Sequence, residues 1–390
     1  MAIVTTVWHY LSHAQHMGDR FLVGYPMNGE WHQPGLDVVS LYVDQKPQSD
    51  LSQQRSEEFG FDVYPSIADA LRVGKDKLAV DAVLVIGEHG SYDQNEYGQK
   101  KYPRYEFFKQ ITDVFRADGR SVPVFNDKHL SWNWEWAKEM VETSRELKFP
   151  LMAGSSLPVT WRLPAVDLPW QADTEEIMGL AYGGVDSYDF HSLEVMQCMA
   201  ERRRGGETGV KSVEALSGDA VWAAMNSGSW QAGGWNPDLF SACLNRSQTL
   251  AQSRATFNHR RPTVEEIRKM VKDPVAYRIE YTDGLKATML LMNGLVADFT
   301  FACKLRNQSR PISTLFYLPP TPNVQYSAVL MSNVEKMFLT GEATYPVERT
   351  LLTSGILAAA SQSLTKKQRV ETPHLDVKYS ASEASMYSRS

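Results

Sequence analysis

The sequence predicts an α/β protein: an N-terminal doubly wound parallel (Rossmann-like) sheet, then an α+β domain with an open, mostly antiparallel sheet. Three observations carry this. Over residues 1–155, short apolar β-branched runs alternate with amphipathic stretches, the pattern of a parallel sheet covered by helices on both faces. Between residues 277 and 318, strand-like runs follow one another directly, as hairpins in series do. A chain of 390 residues also exceeds one ordinary domain of roughly 100–200 residues.

In the first domain, residues 1–155, strands are expected at 2–7, 38–43, near Val63, and at 82–86, 122–125 and 151–153. Helices are expected at 12–23, 51–59, 67–72, 105–116 and 132–147. Right-handed crossovers then align the strand C-termini along one rim, where ligands of such folds bind. In the second domain, residues 156–379, helices are expected at 191–204 and 213–226, followed by strands at 277–282, 285–292, 296–305 and 313–318. Asp283-Gly284 and Asn293-Gly294 fall at the first two junctions and supply the positive φ of tight hairpin turns. Helices at 327–339 and 347–364 close the domain, with Pro346 near the start of the second, where a missing N–H costs nothing. Residues 380–390 lack a core-forming pattern and are expected to fray.

Composition narrows the function. With 43% hydrophobic and 22% charged residues, the chain is neither disordered nor fibrous. Net charge is −6 and the longest basic run is Arg202-Arg203-Arg204, so the basic stripe of a nucleic-acid binder is missing. No apolar run reaches the ~18 residues of a membrane span. Cys198, Cys243 and Cys303 are far apart and form no CxxC pair, which argues against a disulfide framework or a cysteine zinc site and for a reducing, cytoplasmic setting. The N-terminus has no basic leader region, and His9, His13 and His16 interrupt its apolar stretch.

The strand ends collect ionisable side chains. Glu88 and His89 follow the strand 82–86; Asp127, Lys128 and His129 follow 122–125. These loops are neighbours on the rim, and His191 and Glu194, one helical turn apart, are expected to point in from across the cleft. Imidazole and carboxylate together suit Zn²⁺, Mn²⁺ or Fe²⁺. Such a metal would polarise a substrate oxygen while Lys128 or a spare histidine moves the proton. The long polar loop 91–104 after a rim strand is a candidate lid, and loop 24–35, with Trp31 and His32, is a second. Trp132, Trp134 and Trp136 alternate, so one helix face cannot bury all three; one or two of them are candidates to stack on a sugar ring, with packing between domains the alternative.

The order of segments resembles the Gfo/Idh/MocA family, named for glucose–fructose oxidoreductase and inositol dehydrogenase. Three places carry the likeness. Asp81-Ala82-Val83-Leu84-Val85-Ile86 is similar to the family's fourth strand, and Ser121-Val122-Pro123-Val124-Phe125-Asn126-Asp127-Lys128 to the strand ending in its Glu-Lys-Pro signature. Gly183-Gly184 with Asp186, Asp189 and His191 is similar to its Gly-Gly…Asp…His segment. The resemblance implies that Lys128 touches substrate and nicotinamide, that His191 is the acid/base with Asp189 or Asp186 in support, and that Asp44 holds the ribose if a dinucleotide binds. It also implies a sugar-like polyhydroxylated substrate and a homo-oligomer, dimer or tetramer, formed through the open sheet.

The departures bear on the cofactor. Thr5, Val7 and Tyr10 stand where the family has the three glycines of its phosphate turn, Asp127-Lys128-His129 replaces Glu-Lys-Pro, and Ser187 takes the place of the family's aspartate. Side chains at the glycine positions are expected to fill the diphosphate's space. The leading expectation is therefore a Gfo/Idh/MocA-like lyase, hydrolase or isomerase that has lost nicotinamide and uses a divalent metal held by Glu88, His129 and His191, with His89, Asp127 and Glu194 as further ligands. The alternative is an NAD(P)-dependent oxidoreductase with a diverged phosphate turn. A third reading, a non-catalytic subunit that kept the fold, is disfavoured by the titratable groups on the rim.

Overall fold

The computed structural model describes residues 1–252 and 259–389. Strand β1 (Ala2–Thr5) leads to helix α1 (His13–Val23), which Ser12 caps by accepting from the Gln15 N–H. A hairpin, β2 (Tyr25–Met27) and β3 (Glu30–His32), precedes β4 (Ser40–Val43). There follow α2 (Ser52–Phe59), β5 (Asp62–Tyr64), α3 (Ile67–Arg72), β6 (Val83–Ile86) and α4 (Arg104–Asp118). β7 (Val124–Asp127), α5 (Trp134–Glu146) and β8 (Leu151–Gly154) complete the domain. The sheet order is β5-β4-β1-β6-β7-β8, parallel throughout. Strand order reverses at β1, which brings the loops after β1, β4, β6 and β7 together on one rim. The strands are apolar on both sides because both faces are covered. Val4, Val83 and Val85 pack with α3, α4 and α5, whereas Ile3, Leu84 and Ile86 pack with α1 and a helix of the second half.

The second half comprises β9 (Arg162–Leu163), β10 (Thr174–Ala181), α6 (Tyr188–Ala200), β11 (Val210–Ser217), α7 (Asp219–Ser227), α8 (Pro237–Arg246) and α9 (Val264–Met270). Then come β12 (Val275–Tyr281), β13 (Lys286–Leu291), β14 (Phe299–Leu305), β15 (Ile312–Phe316), α10 (Tyr326–Thr340), α11 (Glu348–Lys366) and β16 (Val370–Glu371). The order is β16-β11-β12-β13-β10-β14-β15-β9, antiparallel except for β10 beside β13. Along β10, Ile177 and Ala181 face the core shared with α6 and α11, while Met178 and Leu180 pack with α7, α8 and α9. The sheet face through which the resemblance implies self-association is thus covered by the chain's own helices.

Three local expectations are corrected. Residues 213–226 do not form one helix: Val210, Ser212, Val213 and Ala215 are buried along β11, and Gly218 at φ 60° separates that strand from α7. Asn293-Gly294 does not turn a hairpin, because β10, absent from the sequence reading, lies between β13 and β14. Gly294 does take a positive φ of 93°, but Asn293 instead exchanges two hydrogen bonds with the Gly183 backbone, at 2.7 and 2.9 Å. Residues 380–389 are held rather than frayed. Arg202 donates to the carbonyls of Ser382 and Glu383, the Tyr387 ring lies 4.0 Å from the Arg162 guanidinium carbon, and the Ser388 N–H bonds to Val159 O. Ser390 lies outside the described residues.

The hairpin β2–β3 docks on α10. Buried Glu335 accepts from the Tyr25 hydroxyl and the Gly35 N–H and pairs with His32 Nε2 at 2.9 Å. Loop 24–35 is therefore a clamp between the halves and not a cover for the rim. Among the described residues, no helix is long and apolar enough to cross a membrane.

Candidate active site

The ends of β6, β7 and β8 and the start of α1 face the second half across a cavity of about 270 Å³. His13, His16, Glu88, His89, Asp127 and Lys128 line one wall; Ser155, Ser187, Tyr188, His191 and Tyr326 line the rest. Lys128 sits at φ 66°, a left-handed conformation that costs a non-glycine residue about 1–3 kcal/mol. Its N–H bonds to Gly154 O at the end of β8, which holds it there. His89 (φ 67°) and Asp186 (φ 57°) are also left-handed. Leu11, at φ 60°, is with Lys128 and His89 a third left-handed residue lining the cavity.

Most of the expected metal ligands are already committed to protein partners. Arg104, with no solvent exposure, donates one guanidinium nitrogen to Glu88 Oε2 and the other to His129 Nε2 at 3.0 Å. Lys128 Nζ lies 3.7 Å from Glu88 Oε1. Burial alone would raise the Glu88 carboxyl, but Lys128 and Arg104 hold it well below the usual carboxylate range. Burial, followed by the Arg104 charge, keeps the His129 imidazole far below its ordinary value, hence neutral. Glu194 is buried against α11, accepting from Thr353 Oγ1 at 2.6 Å, and burial raises its carboxyl. It does not join His191 in a ligand pair.

His191 lines the cavity from the first turn of α6, its Nδ1 2.6 Å from Ser155 Oγ. Burial, then the nearby Lys128 and His13, hold this imidazole well below its usual pKa. Asp189 is fully buried, accepts from the backbone of Asp186, Ser187 and Phe190, and takes the Tyr277 hydroxyl at 2.8 Å. It organises the entry to α6 without lining the cavity. Asp186 accepts from the Lys100 N–H at 2.8 Å, so it ties loop 91–103 to the second half, and burial pushes its carboxyl up to about 7.

A pair that sequence reasoning missed is His13 Nδ1 with Asp127 Oδ2, 2.6 Å apart. The 114 positions between them hide it; only the placement of α1 beside the end of β7 brings them together. Asp44, at the end of β4, accepts hydroxyls from Tyr92 (2.6 Å) and Tyr42 (3.1 Å). The neighbouring Gln45 side chain exchanges two bonds with the Ser91 backbone, at 2.9 and 3.0 Å. The three tryptophans stay away from the cavity: Trp136 stacks on Tyr105, Trp132 meets its edge, and Trp134 meets His374.

These observations define a parallel sheet whose carboxyl rim faces a second, mostly antiparallel sheet domain across a cleft lined by titratable side chains. The solved structures the chain resembles are inositol and other dehydrogenases of the Gfo/Idh/MocA architecture, over nearly the full length of both chains. A probable dehydrogenase from Thermotoga maritima aligns at TM-score 0.56 and 13% identity, covering 96% of this chain and 100% of that one. GenD2 from gentamicin A biosynthesis, in complex with NAD, gives 0.57 and 12%, with coverage of 95% and 96%. Myo-inositol dehydrogenase from Lactobacillus casei, in complex with NAD(H) and myo-inositol, gives 0.54 and 11%, with coverage of 95% and 97%. No protein-family model matches the sequence, and no curated protein does. At such identities the likeness is one of fold.

These findings overturn the expectation of a metal-dependent lyase, hydrolase or isomerase that has lost nicotinamide. The similar structures are dehydrogenases, and two of them hold NAD or NAD(H). Among the described residues, no group of three or more His, Cys, Asp or Glu could hold a metal ion. The residues at the three glycine positions also do not all face the crevice. Thr5 Oγ1 is turned inward onto Val7 O and Ile86 O, Val7 is buried, and Tyr10 is 63% exposed. Thr5 and Val7 thus turn into the protein, and Tyr10 extends into solvent.

Proposed function

We propose that the protein is an NAD(P)-dependent oxidoreductase that acts on a hydroxyl group of a sugar-like polyol in the cytoplasm. The observation that carries the reading is the convergence of Lys128 and a neutral His191 on one cavity at the carboxyl rim of the parallel sheet. The residues present suit a dinucleotide at both ends. Asp44 already accepts hydroxyl donors, as it would from a ribose, and Lys128 and His191 line one cavity, where they would face the substrate hydroxyl. A bound nicotinamide supplies the hydride acceptor.

The chain's own groups handle the proton and the charge. His191, steered by Ser155, takes the proton from the substrate hydroxyl, and its depressed basicity keeps it free to do so near neutral pH. Lys128, held rigidly by its left-handed backbone and its bond to Gly154, donates to the same oxygen as negative charge develops on it. Ser155, Ser156, Ser187, Thr321 and Tyr326 offer the remaining hydroxyl partners a polyol needs. Three buried free cysteines support the cytoplasmic placement. Self-association would have to use a surface other than the covered sheet face.

Titration with NADH and NADPH, followed by tryptophan quenching, tests the cofactor. Appearance of reduced nicotinamide with a panel of inositols and aldoses tests the reaction. Lys128→Ala and His191→Ala are each expected to lower turnover by about 10²–10⁴-fold while the circular dichroism spectrum is unchanged. Absence of saturable binding at millimolar cofactor would end the proposal.

A further inference from the structure

The place where a glycine turn would hold a diphosphate is occupied by imidazoles. The backbone donors at the head of α1 are partly spent: the Gln15 N–H goes to Ser12 Oγ at 3.3 Å, and the Leu11 N–H goes to the Gln15 side chain. Four rings gather beside this helix end. His9, His13 and His16 come from the turn and α1, and His89 comes from the loop after β6. His89 lies 5.1 Å from His13 and 5.6 Å from His9, and His13 lies 6.1 Å from His16, between ring centroids. His89 Nε2 is buried with no hydrogen-bond partner.

Among the described residues His13 is the ring of the four that pairs with a carboxylate, and cations stand beside His16 and His89. Arg20 on α1 and Lys128 after β7 are cationic neighbours. The Glu88 carboxylate is taken by Arg104 and Lys128, and Asp127 is taken by His13. α10 contributes the Tyr326 ring, 6.3 Å from His16, and α6 contributes neutral His191. Burial first, then mutual repulsion among the rings, depresses both His16 and His89 to about 4. His16 and His89, with depressed basicity and with His89 Nε2 lacking a hydrogen-bond partner, gain protons when a multivalent anion enters beside them.

We propose that His9, His13, His16 and His89 form a phosphate-class oxyanion site, and that it takes over from the missing glycine turn in holding the cofactor's diphosphate. The identity of the oxyanion rests on the oxidoreductase reading; the site itself does not. Binding then couples to proton uptake, so affinity falls as pH rises, about tenfold per pH unit for each proton gained.

Isothermal titration calorimetry of the full chain tests this with ADP-ribose, a hexose phosphate and adenosine, each in two pH 7 buffers of different ionisation enthalpy. ADP-ribose is expected to bind with uptake of protons, and adenosine without. His89→Gln and His16→Gln are each expected to weaken ADP-ribose about tenfold or more and to reduce the uptake. Should His16→Gln misfold, the wild-type pH series and His89→Gln still decide. Proton-linked binding of the hexose phosphate alone keeps the site and assigns its anion to the substrate. ADP-ribose binding without proton uptake and unchanged in the variants overturns the site, as does failure of both anions to bind. NADH that does not bind while the hexose phosphate does refutes the oxidoreductase reading and leaves the site standing.

Discussion

Arg104→Met separates a charge-compensating role for Glu88 from any other. Arg104 has no solvent exposure, its stem crosses so close to Gly87 that a Cβ there would lie 2.5 Å from Arg104 Cγ, and its guanidinium serves both Glu88 and His129. Methionine keeps most of the stem and deletes the charge. Glu88, only 8% exposed, is then left, among the described residues, with Lys128 at 3.7 Å as its ion-pair partner, and His129 Nε2 loses its donor. Breaking a buried pair from one side costs about 3–5 kcal/mol, and the orphaned imidazole adds to that. Adding Glu88→Gln removes the stranded charge and is expected to recover about 2 kcal/mol or more. Urea unfolding of the wild type, both single variants and the double variant, followed by fluorescence and circular dichroism together, measures the coupling and checks that the two probes coincide. The single Arg104 variant is also expected to lose turnover about tenfold or more, because Lys128 becomes the counter-ion of Glu88. A cost below about 1 kcal/mol, or a double variant as unstable as the sum of the singles, would refute the reasoning.

Tyr92→Phe frees Asp44 of its 2.6 Å hydroxyl partner, so NADH is expected to bind about 2–10-fold tighter, the range of one net hydrogen bond; fluorescence titration reads it, and unchanged affinity contradicts a ribose role for Asp44. The Asp186 carboxyl is raised from 3.8 to about 7, so the folded chain holds a proton that the unfolded chain has released, and stability is lost as pH rises from about 4 to 7. Asp186→Asn should remove that slope, matching wild type near pH 4 and exceeding it in thermal midpoint at pH 8; a pH-independent difference counts against it. In Gly18→Ala the new methyl would meet the buried Trp8 ring at 2.6 Å, and a loss of about 1–3 kcal/mol in urea unfolding is expected; a stabilised variant would show that the ring can move aside.

The parallel domain was legible because its signal is local. Runs such as Val83–Ile86 are continuous apolar strands that only a sheet covered on both faces accommodates. β10 escaped because Thr-Glu-Glu-Ile-Met-Gly-Leu-Ala carries polar residues and a glycine; its strand character comes from pairing with β13 and β14, which no local window contains. The reading of Glu88, His129 and Glu194 as metal ligands had the same origin. Sequence displays which side chains carry lone pairs but not whether those lone pairs are engaged. Arg104 is sixteen positions from Glu88, Thr353 is 159 from Glu194, and each of these partners converts a potential ligand into a fixed internal charge or hydrogen bond. Lys128 and His191 were expected at the cleft from their places at the end of β7 and the start of α6, and both line the cavity.

Loop 91–103 is tied at both ends, and the two ties belong to different halves of the molecule. Tyr92 bonds to Asp44 and Ser91 to Gln45 on the first domain, whereas Lys100 and Gln99 reach Asp186 on the second. Each carboxylate oxygen can accept more than one hydrogen bond, so a ribose hydroxyl at Asp44 would compete with Tyr92 rather than be barred by it. Under the proposed function, a ribose that draws Asp44 away from the Tyr92 hydroxyl would loosen the loop on the first-domain side while Asp186 holds it on the second.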